Sequence, residues 1–216
     1  MHDEIVGSVK NKEAMYSWFA SFYLHAPSPK LLQPLLDPVV LSLFTRVFHE
    51  EECRKTLSEL IEYVERNRCR DFISEFNILF LVPARKGYVP PYESCFREKK
   101  GDDLGNLWGE TTAEVARFYR DAGYEVKNLQ GIFAPDHIGV ELAFIAKLCA
   151  DELHFLENDN LDKSKEIENL RKSFLKEHIC YWIEDFSKAV GASSCSSFYK
   201  YLNALTMRLI CLDLRS

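Results

Sequence analysis

The chain has 216 residues, of which 47% are hydrophobic and 28% are charged. This mixture is enough for one sizeable core and excludes a disordered chain. With 33 acidic and 27 basic residues the net charge is −6, so no overall positive field attracts nucleic acid or anionic lipid. We therefore expect one globular domain over residues 1–216, with no nucleic-acid partner.

No targeting or membrane signal is visible in the sequence. The first residues are acidic and polar, without the basic stretch and apolar run of an export signal. The longest apolar runs fall far short of the roughly 18 residues of a membrane span. The seven cysteines are scattered without a CxxC pair, which argues against a disulfide framework or structural zinc. We expect a cytoplasmic protein with reduced, mostly buried thiols and no direct membrane insertion.

Apolar residues at helical spacing run through the first eighty positions. The first stripe predicts a helix that Pro27 and Pro29 end. Asp37 before Pro38 is typical of an N-cap and a first helical residue, and predicts a short helix through Phe48. Two further stripes predict two more helices, and we expect all these apolar and aromatic faces to be core. The three stripes are Met15, Trp18, Phe19, Phe22 and Tyr23; Cys53, Leu57, Leu60, Ile61 and Val64; and Phe72, Ile73, Phe76, Leu79 and Phe80.

The periodicity stops from Val82 to Asp103, where three prolines and two glycines predict an irregular segment. Helical spacing returns at Trp108 and ends at Gly123, a natural left-handed cap. A second loop leads to a long helix that starts near Asp136, and further apolar stripes reach the C-terminus. With roughly nine helices and no alternating strand pattern, we predict an all-α, irregular single-domain helical bundle.

Asp136, His137 and Glu141, at the start of the long helix, allow two interpretations. In the structural one, Asp136 is the N-cap of the helix Ile138 to Leu156, and His137 is a hydrogen-bonded interior histidine. In the functional one, His137 and Glu141 share a helix face and bind a metal. A metal site needs a further ligand at helical spacing, and the next candidates lie more than two turns away. We predict no metal and keep the N-cap as the main interpretation.

Enzymatic motifs are missing from the sequence. It contains no GxGxxG, no GxxxxGK[ST] and no GxSxG, so nucleotide and serine-hydrolase chemistry have no motif support. Cys95 has no neighbour in the sequence that visibly lowers its pKa. We predict no catalytic residue, no cofactor and no enzymatic activity.

The PPYES segment combines rigid prolines with amphipathic rings. It is either a stiff connector or one wall of a peptide groove, in which the prolines limit the entropy lost on binding. In the second interpretation, Glu93 is available to a cationic ligand.

The segment FNILFLVPARKGYVPPYES, residues 76–94, resembles the redox enzyme maturation chaperones of the TorD, DmsD and NarJ type. Later segments resemble further landmarks of that family in the same order. The family often places a glutamate and a proline shortly before the Asp-His pair, whereas Phe133, Ala134 and Pro135 precede Asp136 here. The later segments are EVARFYRDAG, PDHIGVELAFIAKL, FLKEHICYWIEDF and FYKYLNAL.

The resemblance implies a cytosolic chaperone for a molybdopterin-containing oxidoreductase. Such a chaperone binds the N-terminal leader of the catalytic subunit, often a twin-arginine signal, and delays export until the cofactor is inserted. The implied partners are that leader and that subunit. Separately, the loops between helix groups allow two copies to exchange helices, so a homodimer is a further expectation. Two alternatives stay open: a NarJ-like assembly factor for a non-exported molybdoenzyme, and a small metal-dependent hydrolase centred on His137 and Glu141.

The resemblance also implies a peptide-binding site. An apolar groove receives the leader's hydrophobic stretch, and carboxylates receive its arginines, which can bind them bidentately. His137 orients a neighbour or contacts the peptide backbone. The residues expected to shape the groove are Tyr88, Pro90, Pro91 and Tyr92, and those expected to supply acidic contacts are Glu93, Asp136 and Glu141.

Overall fold

The computed structural model describes residues 2–83, 86–101, 103–127, 134–193 and 197–215. In these ranges the backbone is helical apart from turns, connections and two isolated β-bridges, which pair Tyr92 with His137 and Lys100 with Asp103. The all-α class predicted from the sequence is confirmed.

The α-helices of the described ranges include short ones that periodicity cannot detect. The helix α5 (Cys69–Phe76) continues into a π-helical turn at Asn77–Leu81, and α9 (Leu161–Phe174) is joined to α10 (Cys180–Ala192) by another at Leu175–Ile179. The helices are α1 (His2–Leu24), α2 (Pro29–Leu32), α3 (Pro38–Val47), α4 (Glu51–Arg66), α5 (Cys69–Phe76), α6 (Glu93–Arg97), α7 (Glu110–Asp121), α8 (Ile138–Glu157), α9 (Leu161–Phe174), α10 (Cys180–Ala192) and α11 (Ser197–Arg215).

The chain divides into two compact units. The first unit comprises Met1–Leu24 and Pro91–Trp182, and the second comprises His25–Pro90 and Ile183–Ser216. Each unit combines segments that are distant in sequence. That residues 1–216 form a single domain stays a prediction.

In the first unit α8 packs against α1 and α9. The approach of α8 to α1 is close at Gly139, where a Cβ atom would lie 2.7 Å from Leu24 Cγ and 3.2 Å from the Ala20 carbonyl oxygen. Aromatic rings fill the interior, with Phe144 centred 4.6 Å from Tyr119 and 4.9 Å from Phe174.

In the second unit α11 packs on α4 and α5. As predicted, Asp37 is the N-cap of α3, and its Oδ1 accepts a hydrogen bond of 2.8 Å from Val39 N–H. The start of α11 is held by the buried Glu75, whose Oε2 accepts from Phe198 N–H at 2.9 Å. Its Oε1 accepts from the Tyr63 hydroxyl at 2.9 Å.

The helix α7 differs from its predicted extent at one end only. Trp108 lies before the helix, at φ 66° and 67% exposed, so it is not part of the core face. At the other end Gly123 adopts φ 83°, and its N–H bonds to the Arg120 carbonyl while Tyr124 N–H bonds to that of Tyr119. This pair of bonds is a Schellman motif, which confirms Gly123 as the cap.

Two further expectations concern membranes and thiols. None of the described helices is both long and apolar enough to cross a membrane. None of the six cysteines in the described ranges forms a disulfide. Cys53, Cys95 and Cys149 are buried, whereas Cys180 and Cys211 are exposed, so only half of these thiols are buried rather than most of them.

Candidate functional site

The PPYES segment and the start of α8 meet in the first unit. Tyr92 and His137 form an antiparallel bridge. Glu93 N–H donates to the Asp136 carbonyl oxygen at 2.9 Å, and Ile138 N–H donates to that of Pro91 at 2.9 Å. The structure therefore brings together the two motifs that the sequence analysis assigned to one site.

Asp136 caps a different helix from the one predicted. Its Oδ2 accepts a hydrogen bond of 2.9 Å from Ser94 N–H, in the first turn of α6. The N-cap of α8 is His137, whose Nδ1 accepts from Gly139 N–H at 3.0 Å. The prediction that Asp136 caps the long helix is thus wrong by one residue, because its carboxylate points across the bridge to the other motif.

His137 is an interior histidine, as one interpretation proposed. It is 4% exposed, and burial lowers the pKa of its imidazole to about 3. The ring is therefore neutral at physiological pH, as its acceptor role at Nδ1 requires. A nitrogen that accepts from Gly139 N–H has no lone pair left for a metal ion.

The side chains of Asp136, Glu93 and Glu141 are each 0% exposed. Burial raises the pKa of Asp136, and hydrogen bonds from Ser94 and Thr112 act in the opposite direction. Burial, followed by the neighbouring Glu93 carboxylate, raises the pKa of Glu141 well above its ordinary value. The shift favours the protonated form of Glu141, and its Oε2 accepts from Trp182 Nε1–H at 3.3 Å.

Of these buried carboxyl groups, Glu93 is the one paired with a cation. Arg97 Nη1 donates to its Oε1 at 2.6 Å, and His178 Nδ1 lies 3.2 Å from its Oε2. Arg97 and His178 were missed by the sequence analysis. The four-residue spacing of Glu93 and Arg97 is a signal that could have identified Arg97, whereas no local pattern connects Glu93 with His178.

An open groove of about 390 Å³ lies where this pair reaches the surface of the first unit. Arg97 stands 3.7 Å from Glu114 Oε2 and 5.0 Å from the centre of the Tyr181 ring. Three carboxylates and two arginines give the lining a mixed, slightly acidic character. The lining includes Arg97, Glu114, Arg117, Asp121, Glu177 and Tyr181.

The predicted wall of the peptide groove is mostly interior. Tyr88 is half-buried and Pro90 is buried, both in the second unit, while Pro91 and Tyr92 are buried in the first. Tyr92 is 4% exposed, and its ring lies edge-on to His137 at 5.2 Å. Direct contact of the eight predicted residues with a peptide stays a prediction.

The described side chains offer little support for a metal site or for a cysteine nucleophile. Within the described ranges, no group of three or more His, Cys, Asp or Glu side chains could hold a metal ion. Burial raises the pKa of the Cys95 thiol to about 11, so the thiolate needed for nucleophilic attack is scarce.

Comparison with known proteins gives the class first. The chain is 24% identical over 203 residues to the chaperone protein TorD of Shewanella pealeana, covering 90% of this chain and 84% of that protein. It is 29% identical over 120 residues to the chlorate reductase assembly chaperone protein of Ideonella dechloratans, covering 56% of this chain and 58% of that one. Both relatives are named as chaperones and neither is named as an enzyme, so the class that this chain resembles is that of the redox enzyme maturation chaperones.

The family follows from a match to a family model. Residues 49–188 match the model of the nitrate reductase delta subunit family, and the chain belongs to that family. The resemblance to TorD- and NarJ-type chaperones is thereby confirmed. Neither relative is named as a hydrolase, so the comparisons give no support to the alternative centred on His137 and Glu141.

Proposed function

We propose that this protein is a cytosolic chaperone for the catalytic subunit of a molybdopterin oxidoreductase. It binds the N-terminal leader of that subunit, often a twin-arginine signal, and holds it until cofactor insertion and assembly. The observation that carries the proposal is the family match over residues 49–188. A relative named for the assembly of chlorate reductase supports the same role.

The chemistry of the first unit suits a leader that contains arginine. Glu93 already accepts a guanidinium, that of Arg97, at 2.6 Å. An arginine stays charged at every accessible pH and can bind a carboxylate through two parallel hydrogen bonds. In this proposal Glu93 is the primary acidic contact, and Asp136 and Glu141 set the field around it.

The remaining predicted residues shape the site. Pro91 and Tyr92 fix the bridge that carries Glu93, and His137 holds the start of α8 on the other side of it. Tyr88 and Pro90 lead into that bridge from the preceding segment. Since Glu93 is shielded from solvent by its partners, leader binding requires a movement of side chains at the groove.

Calorimetric titration with leader peptides tests the proposal. The peptides come from the molybdoenzyme catalytic subunits of the same genome, and each is compared with a version in which Lys-Lys replaces the arginine pair. We expect micromolar or tighter binding to one leader, about 8 kcal/mol or more, and weaker binding to its Lys-Lys control. No binding to any leader contradicts leader recognition.

The ligand that binds distinguishes the NarJ-like alternative from a chaperone that binds the leader of an exported subunit. If the client is a non-exported molybdoenzyme, the leaders of exported subunits do not bind and the cytosolic catalytic subunit does. The description of the family as a nitrate reductase delta subunit favours keeping this second candidate.

A homodimer formed by helix exchange is also part of the proposal, and light scattering of the free protein checks it.

A further inference from the structure

We propose that Arg97 is an internal occupant of the leader's arginine site. In the free protein its guanidinium sits on Glu93, and an arginine of the bound leader replaces it there. This inference rests on the proposed function, since it concerns how the same site takes its ligand.

Glu93 is fully buried, whereas the cation that pairs with it is not. The Glu93 side chain is 0% exposed and that of Arg97 is 26% exposed. The cation therefore approaches the carboxylate from the solvent side, along the path that an external ligand would take. Because a buried carboxylate without a cation is strongly unfavourable, whatever removes Arg97 must bring a positive charge of its own.

Arg97 binds Glu93 through one nitrogen. Among the described residues it donates through Nη1 alone, to Glu93 Oε1 at 2.6 Å and to the Glu177 carbonyl oxygen at 3.5 Å. A guanidinium has five N–H donors, and two of them can bind one carboxylate in parallel. Arg97 projects from the same helix as Glu93, four residues later, and its single-nitrogen contact is weaker than the bidentate contact open to a free arginine.

A second carboxylate lies within reach of Arg97 when it leaves Glu93. Glu114 Oε2 lies 3.7 Å from Arg97 Nη1, and Glu114 lines the groove of about 390 Å³ together with Asp121 and Glu177. A small rotation of the Arg97 side chain moves its charge from Glu93 to Glu114. After such an exchange both arginines still face a carboxylate, so the swap leaves no charge unpaired.

The test compares two substitutions that change the charge equally. Arg97→Gln removes the internal occupant, while Arg117→Gln removes an arginine that lines the same groove. We expect the first variant to bind an Arg-Arg leader at least tenfold more tightly than the wild type, and the second to stay within about threefold. Equal effects of the two substitutions, or weaker binding by Arg97→Gln, overturn the inference.

A second measurement needs no leader. It shows whether each variant is folded and whether it binds arginine. L-arginine methyl ester is added to each protein, with L-lysine methyl ester as the control, and the melting temperature is followed. We expect the arginine ester to stabilise Arg97→Gln more than it stabilises the wild type or Arg117→Gln. If it stabilises all three equally, Arg97 does not occupy an arginine site.

A second pair of variants tests the exchange itself. Glu114→Gln removes the carboxylate that receives Arg97, and Asp121→Asn removes another carboxylate of the groove. We expect Glu114→Gln to weaken leader binding several-fold more than Asp121→Asn does, and equal losses contradict the exchange.

The two proposals can fail separately. If the wild type binds a leader but Arg97→Gln brings no gain, leader recognition stands and the internal occupant does not. If no leader binds while the arginine ester still selectively stabilises Arg97→Gln, the arginine site stands and its assignment to a leader falls.

Discussion

His137 holds the first turn of α8 as a neutral ring, and this makes the fold sensitive to acid. The pKa of the folded state, about 3, lies below the ordinary histidine value of about 6.5. Stability from this group is therefore complete above about pH 6.5 and is lost as the pH falls toward 3.

We expect His137→Asn to remove this pH dependence, because asparagine is also a good N-cap but does not titrate. Between pH 6.5 and 4 the free energy of unfolding of the wild type should fall by about 3 kcal/mol more than that of the variant. Urea titrations at both pH values measure the difference. Parallel losses in the two proteins would show that His137 does not titrate in the folded state as its burial implies.

Glu141 makes the stability of the folded state depend on pH with the opposite sign to His137. Because burial and Glu93 raise its folded-state pKa, its stabilising contribution is present at pH values below the ordinary glutamate pKa and is lost as the pH rises. We expect Glu141→Gln, which mimics the protonated form, to match the wild type near pH 5 and to exceed its melting temperature at pH 9. A melting-temperature difference that does not change with pH contradicts a raised pKa of Glu141.

At the residue scale, the sequence identified the PPYES segment and the start of α8 as parts of one site, but it did not identify Arg97 or His178. The segments around Pro91 and Asp136 were assigned to one site by resemblance, and the bridge between them confirms that they are neighbours. Local spacing favoured Asp136 as the cap of the following helix, but its partner Ser94 lies 42 residues earlier in the chain. A contact of that separation leaves no periodic trace in one sequence.

Among the elements, α1 and α8 depend on a close approach that only glycine permits. A Cβ atom at Gly139 would lie 2.7 Å from Leu24 Cγ. We expect Gly139→Ala to destabilise the protein by about 1–3 kcal/mol through overpacking. Gly7→Ala in α1 is the control, since nothing lies within 4 Å of its Cβ position, and it should stabilise by about 0.5–1 kcal/mol. Thermal unfolding of both variants decides whether the packing at Gly139 is as tight as described.

A buried ion pair joins α8 and α9. Arg171 Nη2 donates to Glu152 Oε2 at 2.9 Å, and both side chains are almost fully buried. We expect Glu152→Ala to cost about 3–5 kcal/mol, because the buried guanidinium of Arg171 loses its hydrogen bonds to the Glu152 carboxylate. The exposed pair of Lys163 and Glu166 is the comparison, and Glu166→Ala should cost less than about 1 kcal/mol. Similar losses from the two substitutions, measured by urea unfolding, contradict this account.

Helical periodicity found the long elements because their buried faces repeat. It missed α6, whose five residues are too few to show a period and lie in a proline-rich stretch. The order of α6 comes from Asp136 and from the bridge at Tyr92. For the same reason, helical spacing alone predicted Trp108 as part of α7. The structure instead has a positive φ at Trp108, which turns the chain before the helix starts.

At the scale of the whole molecule, the sequence was sufficient for the helical class and, through quoted motifs, for the family. Composition and periodicity alone predicted only a helical protein without catalytic motifs. The specific role came from the resemblance of residues 76–94 and the segments after it, which the family match over 49–188 confirms. Exposure of Tyr92 and Glu93 could not be predicted, because burial depends on tertiary contacts that a single sequence does not display.

We expect residues 1–216 to form a single domain. If they do, the two compact units unfold together, and a substitution in either one shifts the same transition. Gly139→Ala acts in the first unit. Glu75→Ala acts in the second, where it removes the oxygen that accepts from the buried Phe198 N–H and the oxygen that accepts from the half-buried Tyr63 hydroxyl, and it should cost about 1–3 kcal/mol. Calorimetry should give one peak for the wild type and for each variant, with equal calorimetric and van't Hoff enthalpies. Two peaks, of which each variant moves only one, would mean that the units are separate domains.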